Sequence, residues 1–289
     1  MDFRENSRAV MAMLVANAGF IINDSLMKLV SGHLPLGQMI FVRGVISIGL
    51  LLAICMATGV FRKAHLLMHP KVLMRSIGEV MATLLYLTAL MKMPIANATA
   101  ILQALPLVVT AGAAIVFKSS VGWRRWTAIG AGFTGVMLII RPGFQGFDVW
   151  ALVALAGVFF MALRDLSTRQ MPAEIPTFGV SLMTAIGVTV LGGGLSLSET
   201  WQPMTTYDLM GLAGAAGFIL LGYVFIILAM RSGDITLVAP FRYSAVLWAL
   251  TLGFLIWGDV PDAMTMLGTM IIIATGLYTF LRERKLANS

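Results

Sequence analysis

Ten apolar stretches dominate this chain and constrain its fold more than any other feature. They fall at about 9–31, 37–58, 72–91, 95–117, 126–140, 148–169, 176–197, 208–230, 235–257 and 263–281. A bilayer core of about 30 Å takes roughly 20 apolar residues at 1.5 Å each. Each stretch therefore predicts a membrane-crossing helix, with 126–140 short unless it begins near Trp123. The breaks between them carry turn chemistry: Pro35 with Gly37, Pro94, Arg141-Pro142-Gly143, Pro172 with Pro176, Pro203, Ser232-Gly233 and Pro261.

Composition excludes the alternatives. Of 289 residues 59% are hydrophobic and 11% charged, where a soluble domain carries roughly 25% charge. So few charges cannot cover a globule, which excludes a soluble enzyme and a disordered chain. Cys55 is the sole cysteine, so no intrachain disulfide forms. Ala16-Asn17-Ala18 mimics a signal-peptidase site, but the apolar run continues past it and Asp2 and Glu5 spoil a basic leader. The net charge of +7 belongs to loops rather than to a nucleic-acid surface. With the N-terminus inside, 15 of the 20 Lys and Arg fall in cytoplasmic segments, as basic residues do. Both termini are then cytoplasmic. Trp123 and Trp126 mark the inner interface, and Trp150, Trp201 and Trp257 the outer one.

The chain also repeats itself. "ATAILQALPLVV" (98–109) followed by "GWRRWTAIGAGFTGVMLIIRPG" (122–143) has a counterpart in "ITLVAPFRYS" (235–244) followed by "LGTMIIIATGLYTFLRERK" (267–285), about 138–141 residues on. Residues 1–145 and 146–289 are then two halves of five helices each. Five is odd, so the halves are inverted, and inverted repeats meeting at mid-membrane are a transporter architecture. The expected fold is an all-α integral membrane protein of ten transmembrane helices in two inverted five-helix repeats.

No G-x-x-x-x-G-K-[ST], H-E-x-x-H or C-x-x-C occurs, so neither nucleotide hydrolysis nor a metal centre is indicated. His33, His65 and His69 all lie at helix ends or in loops, and no cofactor is expected. Charges within spans are expensive and functional by default. Asp24 and Arg43 each sit six or seven residues from the outer end of helices 1 and 2, about 10 Å deep. Their matched depth predicts a pair acting as an outer gate, with Lys28 as a rival partner for Asp24. Glu79 and Arg242 match on the inner side, with Arg75 as a rival partner for Glu79 and Asp165 nearby. Two depths favour gates over an enzyme site. Asn17 shares the face of Asp24, and Tyr86 that of Glu79, each seven residues away. Pro106 and Pro240 mark helices 4 and 9 as the centre, because a mid-helix proline frees a carbonyl. Arg242, Tyr243, Gln103, Glu79, Tyr86, Trp248 and Asn17 are accordingly the expected binding residues. The glycines read as helix-packing sites, with Gly192-Gly193-Gly194 as a candidate hinge.

With "MPIANATAILQALPLVV" (93–109) opening helix 4 and "GWRRWTAIGAGFTGVMLIIRPG" running through helix 5, the chain resembles the EamA-type branch of the drug/metabolite transporter superfamily. "NDSLMKLV" (23–30), "FVRG" (41–44), "MALRDLSTRQM" (161–171) and "ITLVAPFRYS" resemble the bacterial S-adenosylmethionine uptake carriers. The family's acidic "GE" after helix 4 is replaced by Lys118-Ser119-Ser120, so this helix end is expected to lack an ion pair. The resemblance implies a secondary-active transporter, not an enzyme, working by alternating access on a small polar metabolite. S-adenosylmethionine or a related amino-acid-bearing compound leads, and export of amino acids or hydrophobic amines is the alternative. Arg242 would take a carboxylate, Glu79 or Asp24 an amine, and the aromatics a sulfonium or adenine face. The partners implied are this substrate and the lipid bilayer, the inner membrane of a bacterium by the same resemblance, with a homodimer as the assembly left open.

Overall fold

A computed structural model describes residues 3–116, 123–140, 148–231 and 239–287. The helices are α1 (Phe3–Val30), α2 (Leu36–Ala57), α3 (Pro70–Leu90), α4 (Ile95–Leu102), α5 (Leu105–Val116) and α6 (Trp123–Ile140), then α7 (Val149–Arg169), α8 (Thr177–Ser196), α9 (Thr206–Arg231), α10 (Ser244–Trp257) and α11 (Ala263–Ala287). Two 3₁₀ helices join them, Val60–Met68 after α2 and Ala239–Tyr243 before α10. No strand occurs among the described residues. Among the described residues six helices are long and apolar enough to cross a membrane, and four further apolar segments are shorter.

Helix starts follow local chemistry. Pro35, Pro94 and Pro176 occupy N-caps, where a missing N–H is harmless. His69 Nδ1 accepts from the Lys71 amide, and Asp148 caps α7 by accepting from the Trp150 amide at 2.9 Å. The α6 segment does begin at Trp123, which gives it 18 residues.

Two expected helices are interrupted. The stretch at 95–117 divides between α4 and α5 at Gln103 and Ala104, whose amides bond three residues back, to Ala100 and Ile101. Pro106 lacks the N–H that an unbroken helix would give Leu102, so the ladder tightens one turn earlier. The stretch at 235–257 has its first four residues outside those described and enters α10 through the 3₁₀ turn. Lys118-Ser119-Ser120 also lies outside the described residues.

The main packing pairs join helices remote in sequence: α1 with α9, α2 with α8, α3 with α7, and α6 with α11. Small residues permit this closeness. A Cβ on Gly135 would lie 2.7 Å from the Gly268 carbonyl, and one on Gly78 would lie 3.0 Å from the backbone of Phe160 and Arg164. The glycine triplet lies within α8, which runs unbroken through it, and Gly192 is pressed against the backbone of Ile40 and Phe41.

Candidate functional site

These packing pairs surround a cavity of about 140 Å³ whose largely apolar wall carries several charged side chains. Each wall is a helical face read off by spacing: Asn17, Phe20, Ile21 and Asp24 on α1, then Glu79, Thr83, Tyr86 and Leu87 on α3. Ile219, Tyr223 and Ile226 continue it on α9, and Met161 and Arg164 on α7. These are i, i+3, i+4 and i+7 positions, which share a face. Arg43, Asn23, Gln103, Pro106 and Arg242 line it as well. The cavity lies where both helix interruptions fall.

Asn17, Asp24, Arg43, Glu79, Tyr86, Gln103 and Arg242 are therefore brought together. The two charge sets, expected at separate depths, line one cavity. Tyr243 and Trp248 do not. Tyr243 is buried against α11, where a Cβ on Gly276 would collide with its hydroxyl, and Trp248 is exposed on the outer face of α10. Neither shares Arg242's face of a helix, being one and six positions past it, whereas Ala245, three positions on, does line the cavity.

The partners also differ from those expected. Glu79 pairs with neither Arg242 nor Arg75. Its Oε2 accepts from Arg164 Nη1 at 3.0 Å, and its Oε1 accepts from the Tyr223 hydroxyl at 3.3 Å. Arg164 Nε also donates to Asp165 Oδ1 at 2.9 Å, and Asp165 Oδ2 accepts from Arg242 Nη2 at 2.7 Å. Glu79, Arg164, Asp165 and Arg242 thus form a chain of two anions and two cations, each directly paired. Arg75, fully buried, is held by hydroxyls instead, donating to Thr168 and Thr184.

Asp24 and Arg43 form no direct ion pair. Asn23 stands between them, its Nδ2 donating to Asp24 Oδ1 at 2.9 Å and its Oδ1 accepting from Arg43 Nη1 at 3.0 Å. Lys28 is not Asp24's partner either: its ammonium donates to the Leu90 and Met93 carbonyls and lies over the Trp257 ring. The Tyr86 hydroxyl is buried beside Asp24 and Thr99 without a well-aligned hydrogen bond. Asn17 is occupied, its amide donating to the Phe241 and Arg242 carbonyls and to Ser244 Oγ, which pins the 3₁₀ turn to α1. Gln103 Nε2 donates to the Thr99 carbonyl at 3.2 Å.

Sequence reasoning missed Asn23, Tyr223 and the cavity role of Arg164. Tyr223 and Ile219 share a face by their spacing of four, which was a usable signal; Asn23 carried none beyond its place beside Asp24. Among the described residues no group of three or more His, Cys, Asp or Glu could hold a metal ion.

A second polar cluster straps the far ends of α1 and α2 to the segment between α8 and α9. Glu199 accepts from the Gly37 and Gln38 amides at the start of α2, at 3.0 and 3.1 Å. Gln38 exchanges two hydrogen bonds with the Gln202 backbone, and His33 Nε2 lies 2.9 Å from Asp208 Oδ2.

Known proteins share this architecture. A solved crystal structure 19% identical in sequence superposes with a TM-score of 0.66, covering 96% of this chain and 98% of its own. The pseudopaline exporter CntI of Pseudomonas aeruginosa is 26% identical, over 91% of this chain and 93% of that protein. The riboflavin transporter of Vibrio cholerae is 27% identical over 94% and 93%. The S-adenosylmethionine uptake transporter of Rickettsia conorii is 24% identical over 68% and 66%. These relatives are transporters, not enzymes, and import and export occur among them. The EamA-like transporter family profile matches twice, at residues 7–141 and 148–281. A multi-pass helical chain with a charge-bearing cavity among apolar helices, matched across both halves by that profile, belongs to the EamA-like transporter family.

Proposed function

We propose that this protein is a secondary-active transporter of ten spans, built as two inverted halves, that carries a small polar metabolite through the central cavity by alternating access. The observation that carries the reading is the convergence of Asp24, Arg43, Glu79, Gln103 and Arg242 on one cavity between apolar helices. Intramembrane charge facing a bundle interior marks a substrate path.

The inverted halves, 1–145 and 146–289, are supported by the double family match. Helix packing supports them too. With α4 and α5 counted as one span, and the 3₁₀ turn and α10 as another, every span can be moved five places on. The move exchanges the pair α1·α9 with α3·α7 and returns α2·α8 and α6·α11 to themselves. That is the behaviour of a two-fold axis, and an odd number of spans per half would set that axis in the membrane plane.

The substrate class we favour is an amino-acid-bearing metabolite, with S-adenosylmethionine as the leading example. Its motive is the presence of both charge signs in one cavity, together with the S-adenosylmethionine uptake relatives. Export of amino acids or hydrophobic amines is the second reading, favoured by the exporter relative. The Glu79–Arg164–Asp165–Arg242 chain ties α3, α7 and the turn before α10 together on the cytoplasmic side. We assign it the inner gate, opening when the halves rock apart.

Counterflow in proteoliposomes tests the reading. Vesicles preloaded with S-adenosylmethionine or a standard L-amino acid should accumulate the labelled compound without nucleotide. Failure of every such compound to exchange would overturn the substrate class. Orientation is tested by labelling cysteines placed at Ser198 and His65, both exposed. The first should react from outside the cell and the second should not.

A further inference from the structure

The cavity's charged groups divide by what satisfies them. Glu79, Arg164 and Arg242 each meet an opposite charge directly. Asp24 and Arg43 are equally buried, at 7% and 3% exposure, yet neither makes an ion pair with a described residue. A buried charge without a counter-charge is strongly disfavoured. What each has is one hydrogen bond to the same neutral amide.

That amide is informative. Asn23 offers an N–H toward the carboxylate and a carbonyl toward the guanidinium. The head group of an amino acid offers the same two functions with full charges: an ammonium donor beside a carboxylate acceptor. A carboxylate has about four lone-pair sites and a guanidinium five donors. Asp24 and Arg43 each use one for Asn23, and both residues line the cavity. The Tyr86 hydroxyl, buried beside Asp24 with no aligned partner, adds a further polar contact.

The repeat sharpens the point. The two family matches begin at 7 and 148, 141 residues apart. That offset places Asn23 over Arg164 and Asp24 over Asp165. Gln103 and Arg242, 139 residues apart, stand at the corresponding helix interruptions. In the second half the aspartate has two arginine partners, and in the first half the same places hold Asn and Gln. One half closes its carboxylate with guanidinium; the other leaves it open to a cation from elsewhere.

We infer that Asp24, Asn23 and Arg43 form the receptor for the amino-acid head group of the substrate, Asp24 taking the ammonium and Arg43 the carboxylate. This rests on reading the cavity as the transport site of an amino-acid-bearing metabolite. It exchanges the roles expected from sequence: the outer pair binds, and the Arg242 cluster locks.

The test is calorimetric titration of the purified full-length protein with S-adenosylmethionine, its decarboxylated form, and 5′-methylthioadenosine, which lacks the amino acid. On wild type, removing the ligand carboxylate should weaken binding roughly ten- to a hundredfold, as loss of a charged hydrogen bond does. In Arg43→Gln that penalty should vanish, and Asp24→Asn should weaken all ligands bearing the ammonium. Trp248→Leu, on the outer face, should bind as wild type. If the two ligands bind wild type equally, or the penalty survives in Arg43→Gln, the receptor assignment is overturned while the transport reading stands. If neither S-adenosylmethionine nor any standard L-amino acid binds wild type, the substrate class fails, and this inference with it. The wild-type comparison needs no variant to fold.

Discussion

On the side of the cavity built by α3, α7 and the turn before α10, each charge touches its opposite; on the side built by α1 and α2, an asparagine stands between them. The two sides are similarly buried and lie in one cavity, so dielectric does not separate them. What separates them is valence. The direct chain uses its charges on itself and can release them only by moving helices apart, which suits a gate. The relayed pair keeps lone pairs and donors for a ligand, which suits a receptor.

The strongest way to break this comparison is Arg164→Met. It removes the group that pairs both Glu79 and Asp165, and breaking a buried ion pair costs about 3–5 kcal/mol. Thermal unfolding in detergent should show a large drop, partly recovered by Glu79→Gln in the same chain. A melting point equal to wild type would show that the direct chain locks nothing. Next comes Asn23→Leu, which strips one hydrogen bond from each of two buried charges, about 1–3 kcal/mol. Here a saturating amino-acid ligand should restore much of the lost stability, because it supplies both missing partners. Ligand rescue equal to that of wild type would count against the relay.

Smaller effects sharpen the outer boundary. Glu199→Gln weakens the carboxylate that accepts two amides at the start of α2, and about 1 kcal/mol of stability should be lost. Substrate affinity should hold, since Glu199 does not line the cavity. Arg242→Lys keeps a cation opposite Asp165 and should leave affinity unchanged; a tenfold fall would make Arg242 a ligand contact rather than a lock. Trp248→Leu should change stability by less than about 0.5 kcal/mol and leave counterflow intact.

Much of the fold was legible because hydropathy is a local sum. A run of Leu, Ile and Val means the same to a bilayer whatever lies elsewhere in the chain, so the helices appear where the apolar runs are. Faces were legible as well: Asn17 with Asp24, and Glu79 with Tyr86, do share the cavity wall. Legibility failed where residues were joined by nearness along the chain. Tyr243 and Trp248 were grouped with Arg242 because they closely follow it, and neither spacing, one or six residues, returns to its face of a helix.

The sequence by itself determined that the chain lives in lipid, where its helices lie, and which few charges must be buried. Only the tertiary structure decided which charge meets which. Glu79 had Arg75 one turn away and took Arg164, 85 residues on; Asp24 had Arg43 at matching depth and met Asn23 instead. The reason is that a span's hydropathy is fixed by its own residues, whereas an ion pair depends on a few ångströms between helices brought together by the whole bundle.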